Sequence, residues 1–180
     1  MRSPFLVAAA LPIVMVFAGL TLAAPQATSY KVTSTLRASS EVPKPTGVKV
    51  GATGTFTGAA VQAKANGRAV ITWKLTFARL TGPATMAHIH IGKPGKAGNV
   101  MVALCGPCKD GKRGKANVTN AQLKTIRAGA AYVNLHTKMN PAGEIRGQVK
   151  AGKPTTVSGS PPPPAPPDPP PPPPYDDPYP

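Results

Sequence analysis

Residues 71–77, Ile-Thr-Trp-Lys-Leu-Thr-Phe, alternate strictly between apolar and polar side chains. Successive side chains of an extended chain point to opposite faces, so the four apolar residues share one face. Lys74 and the threonines on either side of it share the other face. This stretch therefore predicts a β-strand with one buried and one solvated face, in a sheet whose core lies on one side.

The same period of two recurs along the middle of the chain, where no long stretch has helical periodicity. Six further strands are predicted at residues 30–36, 54–61, 86–91, 99–104, 132–136 and 144–149. Turn signals rich in Gly, Pro and Asn separate them. Seven short strands at this spacing predict an all-β fold, an antiparallel sandwich or barrel.

One short helix is predicted at residues 121–127. Thr119 or Asn120 supplies a side-chain oxygen suited to the N-cap, and Gly129 suits the left-handed conformation that ends a helix. Leu123 and Ile126 are three residues apart, so both are expected to face the core. A helix of this length adds to the β fold without changing its class.

The chain has 180 residues with 21 Lys+Arg and 6 Asp+Glu, a formal net charge of +15. This length allows one domain with extensions and excludes a large multidomain enzyme. The hydrophobic pattern also excludes a polytopic membrane protein and a coiled coil. Composition divides the chain into residues 1–27, a β domain at 28–152 and a proline-rich tail at 153–180.

Residues 1–27 are expected to be a signal peptide with a short linker. Arg2 precedes an uncharged apolar run at 5–22, and small residues follow, so cleavage is expected between Ala23 and Ala27. A retained membrane anchor is the alternative, because this run nearly reaches the length of a membrane span. In both cases the body of the chain is exported, secreted or held in the cell envelope. With cleavage, contact with the membrane is only transient.

The tail carries 15 of the 24 prolines and ends in tyrosines and aspartates. Proline fixes φ and cannot donate a hydrogen bond, so a disordered, extended polyproline II segment is expected. Such a tail can act as a spacer through the envelope. Binding to a proline-recognising partner and cross-linking through tyrosine are the alternatives.

Five short motifs follow one another along the chain. They are Glu41-Val42-Pro43, Ala87-His88-Ile89-His90, Leu123 before Arg127-Ala128-Gly129, Tyr132-Val133-Asn134-Leu135-His136-Thr137 and Gly143-Glu144-Ile145-Arg146-Gly147-Gln148. In order and spacing they resemble the CHRD domain, the module named after chordin and also found in exported bacterial proteins. The resemblance implies an immunoglobulin-like β-sandwich or barrel, distantly similar to copper/zinc superoxide dismutase, and implies no particular activity. One departure is Ile91, which stands where the family often has the glycine that follows the second histidine.

All three histidines of the chain lie in these motifs. On a strand, His88 and His90 point to the same face, and His136 ends another predicted strand. If the two strands are neighbours, three imidazoles converge and leave an open position, which suits copper or zinc. A shared ion would require less than about 5 Å between ring nitrogens of His88 and His136. Alternatively, the histidines hydrogen-bond within the sheet and bind nothing.

Cys105 and Cys108 are expected to form a disulfide that stiffens the tip of a loop. The Cys-Gly-Pro-Cys sequence also resembles a thioredoxin active site, but that motif needs a strand-to-helix junction, and here a basic loop follows. In an exported protein, two nearby cysteines are most simply an oxidised pair. A redox centre and metal ligation are the alternatives.

Six basic residues are expected to form an anion-binding patch: Lys93, Lys96, Lys109, Lys112, Arg113 and Lys115. Their charge attracts polyanions in a way that weakens with salt, so the expected partners are anionic wall or matrix polymers, acidic polysaccharides or lipid headgroups. Nucleic acid is not an expected partner, because the chain is exported, has 5% aromatic residues and shows no known reader motif. The alternative is that this charge only keeps the domain soluble.

Glu144 and Arg146 lie two residues apart and would share a strand face, so an internal ion pair is expected, with Glu41 as a further member. Two glutamates alone do not make a hydrolase, and no activated serine, phosphate-binding loop or cofactor motif is present. A superoxide dismutase would need a fourth histidine at copper and an aspartate at zinc, so dismutation is not expected. The leading hypothesis is a non-enzymatic exported binding or structural module of the cell surface, with a basic face for anionic polymers. The rival is a metalloprotein with copper or zinc on the three histidines.

Overall fold

The computed structural model describes residues 26–158, and within them the fold is all-β with one α-helix. The strands are β1 (Gln26–Arg37), β2 (Thr53–Gln62), β3 (Ala69–Ala78), β4 (Ala84–Ile91), β5 (Val100–Cys105), β6 (Arg113–Val118), β7 (Ala131–Thr137), β8 (Ile145–Gln148) and β9 (Lys150–Ser158). The helix α1 (Asn120–Arg127) connects β6 to β7, and a 3₁₀ turn at Ala38–Ser40 follows β1. The expected signal segment up to residue 25 and the tail from residue 159 lie outside the described residues.

These strands form a nearly closed antiparallel barrel of two packed layers. One layer has the strand order β5-β4-β7-β8, and the other has the order β1-β2-β3-β6 with β9 on the free side of β1. The layers are joined where β1 pairs with β8 at Arg37 and Arg146. On the other side of the barrel β5 and β6 approach each other. The predicted antiparallel sandwich or barrel with one short helix is confirmed.

The apolar faces of both layers point into a single core. Ile71, Trp73 and Leu75 of β3 are buried there, while the polar residues between them are only partly buried. Ile89 of β4 and Leu135 of β7 bury their side chains from the opposite layer. The alternation of residues 71–77 is therefore the alternation of a half-buried strand, as the sequence predicts.

Helix α1 begins and ends where the sequence predicts. The Thr119 hydroxyl accepts a hydrogen bond from the Gln122 N–H at 3.2 Å, and the Gln122 side chain accepts one from the Thr119 N–H at 2.7 Å. This reciprocal pair satisfies two donors that the first turn would leave unpaired. Leu123 and Ile126 are buried, and Gly129 follows the helix with φ +69°.

The structure contains two strands, β6 and β9, where the sequence pattern predicts a loop and a tail. In β6 only Ala116 and Val118 face the core, while Arg113 and Lys115 are exposed. The two small apolar residues give too weak an alternation to reveal the strand. Charged side chains are common on such edge strands because they discourage pairing with another chain.

Strands β1 and β9 continue on both sides of residues 28–152, the range expected for the β domain. β9 continues to Ser158, and it pairs with the start of β1 at Gln26. β9 is exposed along most of its length and contains Pro154, a residue that an edge strand tolerates. Because neither of its faces is buried, β9 has no period-2 pattern, and the sequence reads as the beginning of the tail.

Candidate metal centre

The outer face of the β5-β4-β7-β8 layer is polar and yet buried. The alternate residues of β4 face the core, which turns His88 and His90 to the outer face. β4 pairs with β7 so that His88 lies opposite Asn134 and His90 lies opposite Tyr132. His136, two residues beyond Asn134, points to the same face. The two histidine-bearing strands are therefore neighbours, the condition under which the sequence predicts a cluster.

The ring nitrogens of the cluster are close enough to surround one ion. One nitrogen from each of His88, His90 and His136 lies within 4.8 Å of the others. His88 Nδ1 is 3.3 Å from His136 Nε2. Two nitrogens on one tetrahedral zinc ion would be about 3.3 Å apart, so this pair already has ligand spacing. The side chains are 8%, 8% and 6% exposed, respectively, so the cluster lies just below the surface.

Backbone carbonyls fix two of the three rings. His90 Nδ1 donates to Gly98 O at 2.9 Å, and His136 Nδ1 donates to Pro141 O at 2.8 Å. A neutral imidazole has a single N–H, so Nε2 of each ring keeps a free lone pair. His90 Nε2 is buried and has no hydrogen-bond partner among the described residues. Metal-binding histidines commonly donate their second nitrogen to such an acceptor, which orients the ring.

Burial keeps the three imidazoles neutral. It lowers the pKa of His88 to about 4 and the pKa of His90 to about 4. Burial also lowers the pKa of His136. The neighbouring rings act in the same direction on His88 and His90, because a proton on one ring repels a proton on the next. At neutral pH the lone pairs are therefore available without prior loss of a proton.

Arg146 forms hydrogen bonds that hold the loop between β4 and β5 against the face that carries the histidine cluster. Its guanidinium Nη2 donates to Lys93 O at 3.1 Å and to Lys96 O at 2.8 Å. The guanidinium carbon lies 3.3 Å from the centroid of the Tyr132 ring. The Tyr132 ring in turn stacks on His90 with 4.9 Å between centroids. Arg146 therefore contacts the covering loop directly and the His90 ring through Tyr132, whose hydroxyl also accepts the Gly98 N–H at 3.1 Å.

The departure from the family pattern at Ile91 leaves the strand intact. Ile91 continues β4, its N–H donates to Asn99 O at 3.0 Å, and the turn begins at Gly92. Gly98 closes the loop, since a Cβ atom there would collide with the carbonyl of Ile91. The same close approach places the Gly98 carbonyl against His90.

Glu144 and Arg146, expected as an ion pair, form hydrogen bonds with different groups. Glu144 precedes β8 rather than lying on it, so strand parity does not turn the two side chains to one face. Its carboxylate instead accepts hydrogen bonds from the Thr81 N–H at 2.7 Å, the Thr137 hydroxyl at 2.6 Å, the Asn140 amide at 3.3 Å and the Thr81 hydroxyl. Burial raises the pKa of this carboxyl, but these hydrogen bonds outweigh it and lower the pKa.

Glu41 is a second buried carboxyl with a different environment. Its Oε1 accepts the Val42 N–H at 2.9 Å, whereas its Oε2 has no hydrogen-bond partner among the described residues. Asn134 Oδ1 is unpaired in the same part of the structure, and both oxygens border the space above Gly143. Burial raises the pKa of Glu41 to about 7, against the lowering effects of the Val42 hydrogen bond and of Arg146. A proton on Glu41 would give the two oxygens a hydrogen bond to share.

The six basic residues of the expected anion-binding patch lie on different elements. They occupy three places: the loop after β4 (Lys93, Lys96), the loop after β5 (Lys109, Lys112) and strand β6 (Arg113, Lys115). The loop after β5 lies beside the start of β4, where the Cys108 N–H donates to Ala84 O at 3.1 Å. The eight residues of β4 span about 25 Å, so the two loops lie at opposite ends of the barrel.

Cys105 and Cys108 form the expected disulfide, with their Cα atoms 5.3 Å apart. The bond closes the turn between β5 and β6, and a strand rather than a helix follows it. Among the described residues the cluster of metal-ligating side chains contains the three histidines and neither cysteine. The disulfide therefore acts on the loop and is separate from the histidine site.

Sequence reasoning identifies the three histidines but misses the groups that orient them. Gly98 and Pro141 act through backbone carbonyls, which no side-chain pattern reveals. Tyr132 carries a usable signal, because it has the same parity as His136 on one strand. The role of Arg146 depends on a loop that packs back over the sheet, and strand patterning does not predict such packing.

No helix within residues 26–158 combines the length and the hydropathy of a membrane span. No curated protein and no solved structure matches the chain. The family model of the CHRD domain matches residues 32–149, a stretch that contains all three histidines and the arginine above them. Since this match covers well over half of the sequence, the chain belongs to the CHRD domain family.

Proposed function

We propose that this chain is a non-enzymatic extracytoplasmic binding module that holds one copper or zinc ion on His88, His90 and His136. The observation that carries the proposal is the convergence of one ring nitrogen from each histidine within 4.8 Å of the others. CHRD domains are typically extracellular, and storage or sequestration of a metal is a function that such a location allows.

The donor set supports a metal better than it supports a purely structural role. His88 and His136 can hydrogen-bond to each other at 3.3 Å without any ion. His90 cannot be explained in this way, because its Nε2 is buried and unpaired. Leaving such an atom unpaired costs about 1–3 kcal/mol, which a bound ion would remove. The two carbonyl contacts at Nδ1 also hold lone pairs toward the same space.

Three neutral imidazoles suit both copper and zinc, and copper has the higher intrinsic affinity for nitrogen ligands. A bound ion would supply one open coordination position for water or a small anion. Of the two nearby carboxyl groups, Glu144 accepts four hydrogen bonds, whereas Glu41 keeps an unpaired Oε2. Neither carboxyl belongs to the histidine cluster, and the proposal gives neither a catalytic role.

The decisive experiment measures metal content of the full chain after refolding with copper and zinc and removal of loosely bound ions. We expect one ion per wild-type chain by elemental analysis. We expect His88→Ala, His90→Ala and His136→Ala each to weaken the affinity by at least about 100-fold, because each removes a ligand. Isothermal titration with each metal separately gives the affinities and the preference between them.

Lys138→Ala is the matched control, since Lys138 is an exposed neighbour of His136 in sequence. It should retain the ion. Wild-type protein that is folded by circular dichroism and holds no stoichiometric copper or zinc would refute the metal proposal. Equal metal content in the wild type and in the three histidine variants would do the same.

The same proposal places the mature chain outside the cytoplasm, with the proline-rich segment after β9 as a spacer. It is supported by the charge and apolar pattern of residues 1–27 and by the proline content of the tail. N-terminal sequencing of the protein from its native host should give a first residue between Ala24 and Thr28. A chain that begins at Met1 and stays in the cytosol would contradict this assignment.

A second candidate function is attraction of anionic wall or matrix polymers. The observation that favours it is charge: residues 28–153 contain twenty basic and three acidic residues, a net charge of +17. A domain with this net charge attracts polyanions, and added salt weakens the attraction. The full chain should bind a column of an anionic polymer at low salt and elute as salt increases. No retention at low salt would exclude this function.

A further inference from the structure

The outer face of the β1-β2-β3-β6 layer carries cations and threonines in register. Across β2, β3 and β6, Thr57 lies opposite Lys74, and Lys74 lies opposite Arg113. One row along, Thr72 lies opposite Lys115. In each strand, the residues on either side of these face the core. The threonine, lysine and arginine side chains therefore point away from it.

These residues line an open groove of about 640 Å³ on the sheet surface. Arg113 and Lys115 lie on the edge strand β6, and Lys74 lies one strand inward. Neighbouring strands are about 4.8 Å apart and alternate residues about 7 Å apart, so the three cations surround a small area. Lys31 extends the same face on β1, opposite Ala59.

No acidic side chain of residues 26–158 lies in this groove. Glu41 and Glu144 are buried in contact with the other layer. The remaining acid, Asp110, accepts the Phe77 N–H at 2.8 Å, beyond the end of the groove. Like charges directly opposite each other on adjacent strands destabilise a sheet, so the Lys74–Arg113 pair has a cost that an anion would relieve.

We propose that this groove binds an extended acidic polysaccharide. The inference rests on the second candidate function and adds the surface and the class of polymer. The cations provide partners for carboxylate or sulfate groups repeated along a chain. The Thr57 hydroxyl can donate and accept, and the Thr72 hydroxyl, which donates to Ala59 O at 3.5 Å, can still accept from the hydroxyl groups of a sugar. The site is on the opposite layer from the histidines and is independent of them.

Other partners match this face less well. Single-stranded nucleic acid is bound by stacking bases on aromatic side chains, and the one aromatic residue beside the groove, Trp73, has its ring buried. A membrane would require apolar side chains for insertion. The large exposed hydrophobic residues of the described chain, Val50, Ile91, Val100 and Met139, all lie away from this groove.

The test compares two triple variants of the full chain that remove the same charge. The groove variant is Lys74→Gln, Arg113→Gln and Lys115→Gln, and the control is Lys93→Gln, Lys96→Gln and Lys109→Gln. Affinity for sodium polygalacturonate is measured at low salt by isothermal titration. The groove variant loses three ion pairs with the polymer, so it should bind polygalacturonate at least about tenfold less tightly than the wild type. The control should lose no more than about threefold, through the lower net charge alone.

Equal losses in the two triple variants would overturn the groove while leaving the general attraction in place. If the wild type does not bind polygalacturonate, both the groove proposal and the general attraction for anionic polymers are excluded. The double variant Thr57→Val, Thr72→Val tests the sugar component. It should weaken binding of polygalacturonate and leave binding of poly-glutamate unchanged, and an equal effect on both polymers would overturn the assignment to a polysaccharide.

Two further outcomes would show that a different ligand occupies the groove, and would therefore overturn the proposal. Tighter binding of duplex DNA than of polygalacturonate would make nucleic acid the ligand. A tenfold gain in polygalacturonate affinity after Asp168→Asn, Asp176→Asn and Asp177→Asn would show that the acidic end of the same chain occupies the groove. We expect neither result.

Discussion

The two layers of the barrel present outer faces that are similar in pattern and opposite in environment. On the β5-β4-β7-β8 layer, His88, His90 and Arg146 point outward and are nevertheless buried, and the loop after β4 contacts His90 and Arg146. On the β1-β2-β3-β6 layer, Lys74 is only partly buried and Arg113 is exposed, in an open groove. On both layers, these outward residues alternate along the strands with residues that face the core. Only the outer face of the β5-β4-β7-β8 layer is covered.

This difference shows what a covering loop does to a polar sheet face. Burial makes each polar atom depend on a specific partner, because an unpaired buried group is costly. The histidines therefore acquire fixed rings and lowered pKa values, whereas the exposed cations keep water as a partner. The covered face is suited to one ion held at fixed positions, and the open face is suited to a large polymer held by many weak contacts.

The comparison predicts that Arg146, on the covered face, contributes much more to the free energy of unfolding than Arg113, on the open face. Arg146→Met should lower the free energy of unfolding by about 3 kcal/mol, since it removes two hydrogen bonds from a charged donor and the contact with Tyr132. Arg113→Met should raise it slightly, by no more than about 0.5 kcal/mol, because it removes one of two like charges on adjacent strands. Urea unfolding with a chelator present measures both. Similar losses in the two variants would mean that burial does not distinguish the faces.

A second prediction concerns the two buried glutamates, whose pKa values are shifted in opposite directions. The pKa of Glu41 rises from 4.5 to about 7 on folding, so the native state binds the extra proton between these values. Its carboxyl therefore contributes stability that is present at low pH and is lost as pH rises toward 7. Glu41→Gln should become more stable relative to the wild type by about 3 kcal/mol between pH 4.5 and pH 8.

Glu144→Gln is the control with the opposite sign. The lowered pKa of Glu144 stabilises the native state above the unfolded pKa, and this contribution is lost as pH falls. The variant should be less stable than the wild type at neutral pH, with a penalty that shrinks in acid. Differences from the wild type remove the effect of the histidines, whose lowered pKa values also make stability depend on pH. A Glu41 difference that is constant with pH would contradict the raised pKa.

The smallest expected effect lies on the open face. Lys74→Thr removes one of two like charges on adjacent strands, so it should stabilise the fold by about 0.5 kcal/mol at low salt. The gain should disappear at high salt because the repulsion is screened. Lys109→Thr, on an exposed loop, should give no such gain. A stabilisation that persists at high salt would mean that strand propensity rather than charge is responsible.

Much of the fold could be predicted because a half-buried strand leaves a local pattern. The alternation at residues 71–77 and the capping residue Thr119 are examples, and both act over a few residues. β6 and β9 could not be predicted in this way. One has only two small residues toward the core and the other has no buried face.

The candidate metal site was predictable in its ligands but not in its support. His88 and His90 have the same parity on one strand, which the sequence shows directly. Their approach to His136 depends on the pairing of β4 with β7, which are separated by two strands and the helix. The partners of Glu144 and the division of the basic residues among three places follow from the same long-range packing.

By itself, the amino-acid sequence determined an all-β domain with a strong positive charge and three histidines in family motifs. The tertiary structure alone decided which polar face is covered, which rings meet, and where the cations gather. The physical reason is the separation in sequence over which each effect acts. Side-chain parity and capping act between residues close in sequence, whereas burial and strand pairing depend on segments that only the folded chain brings together.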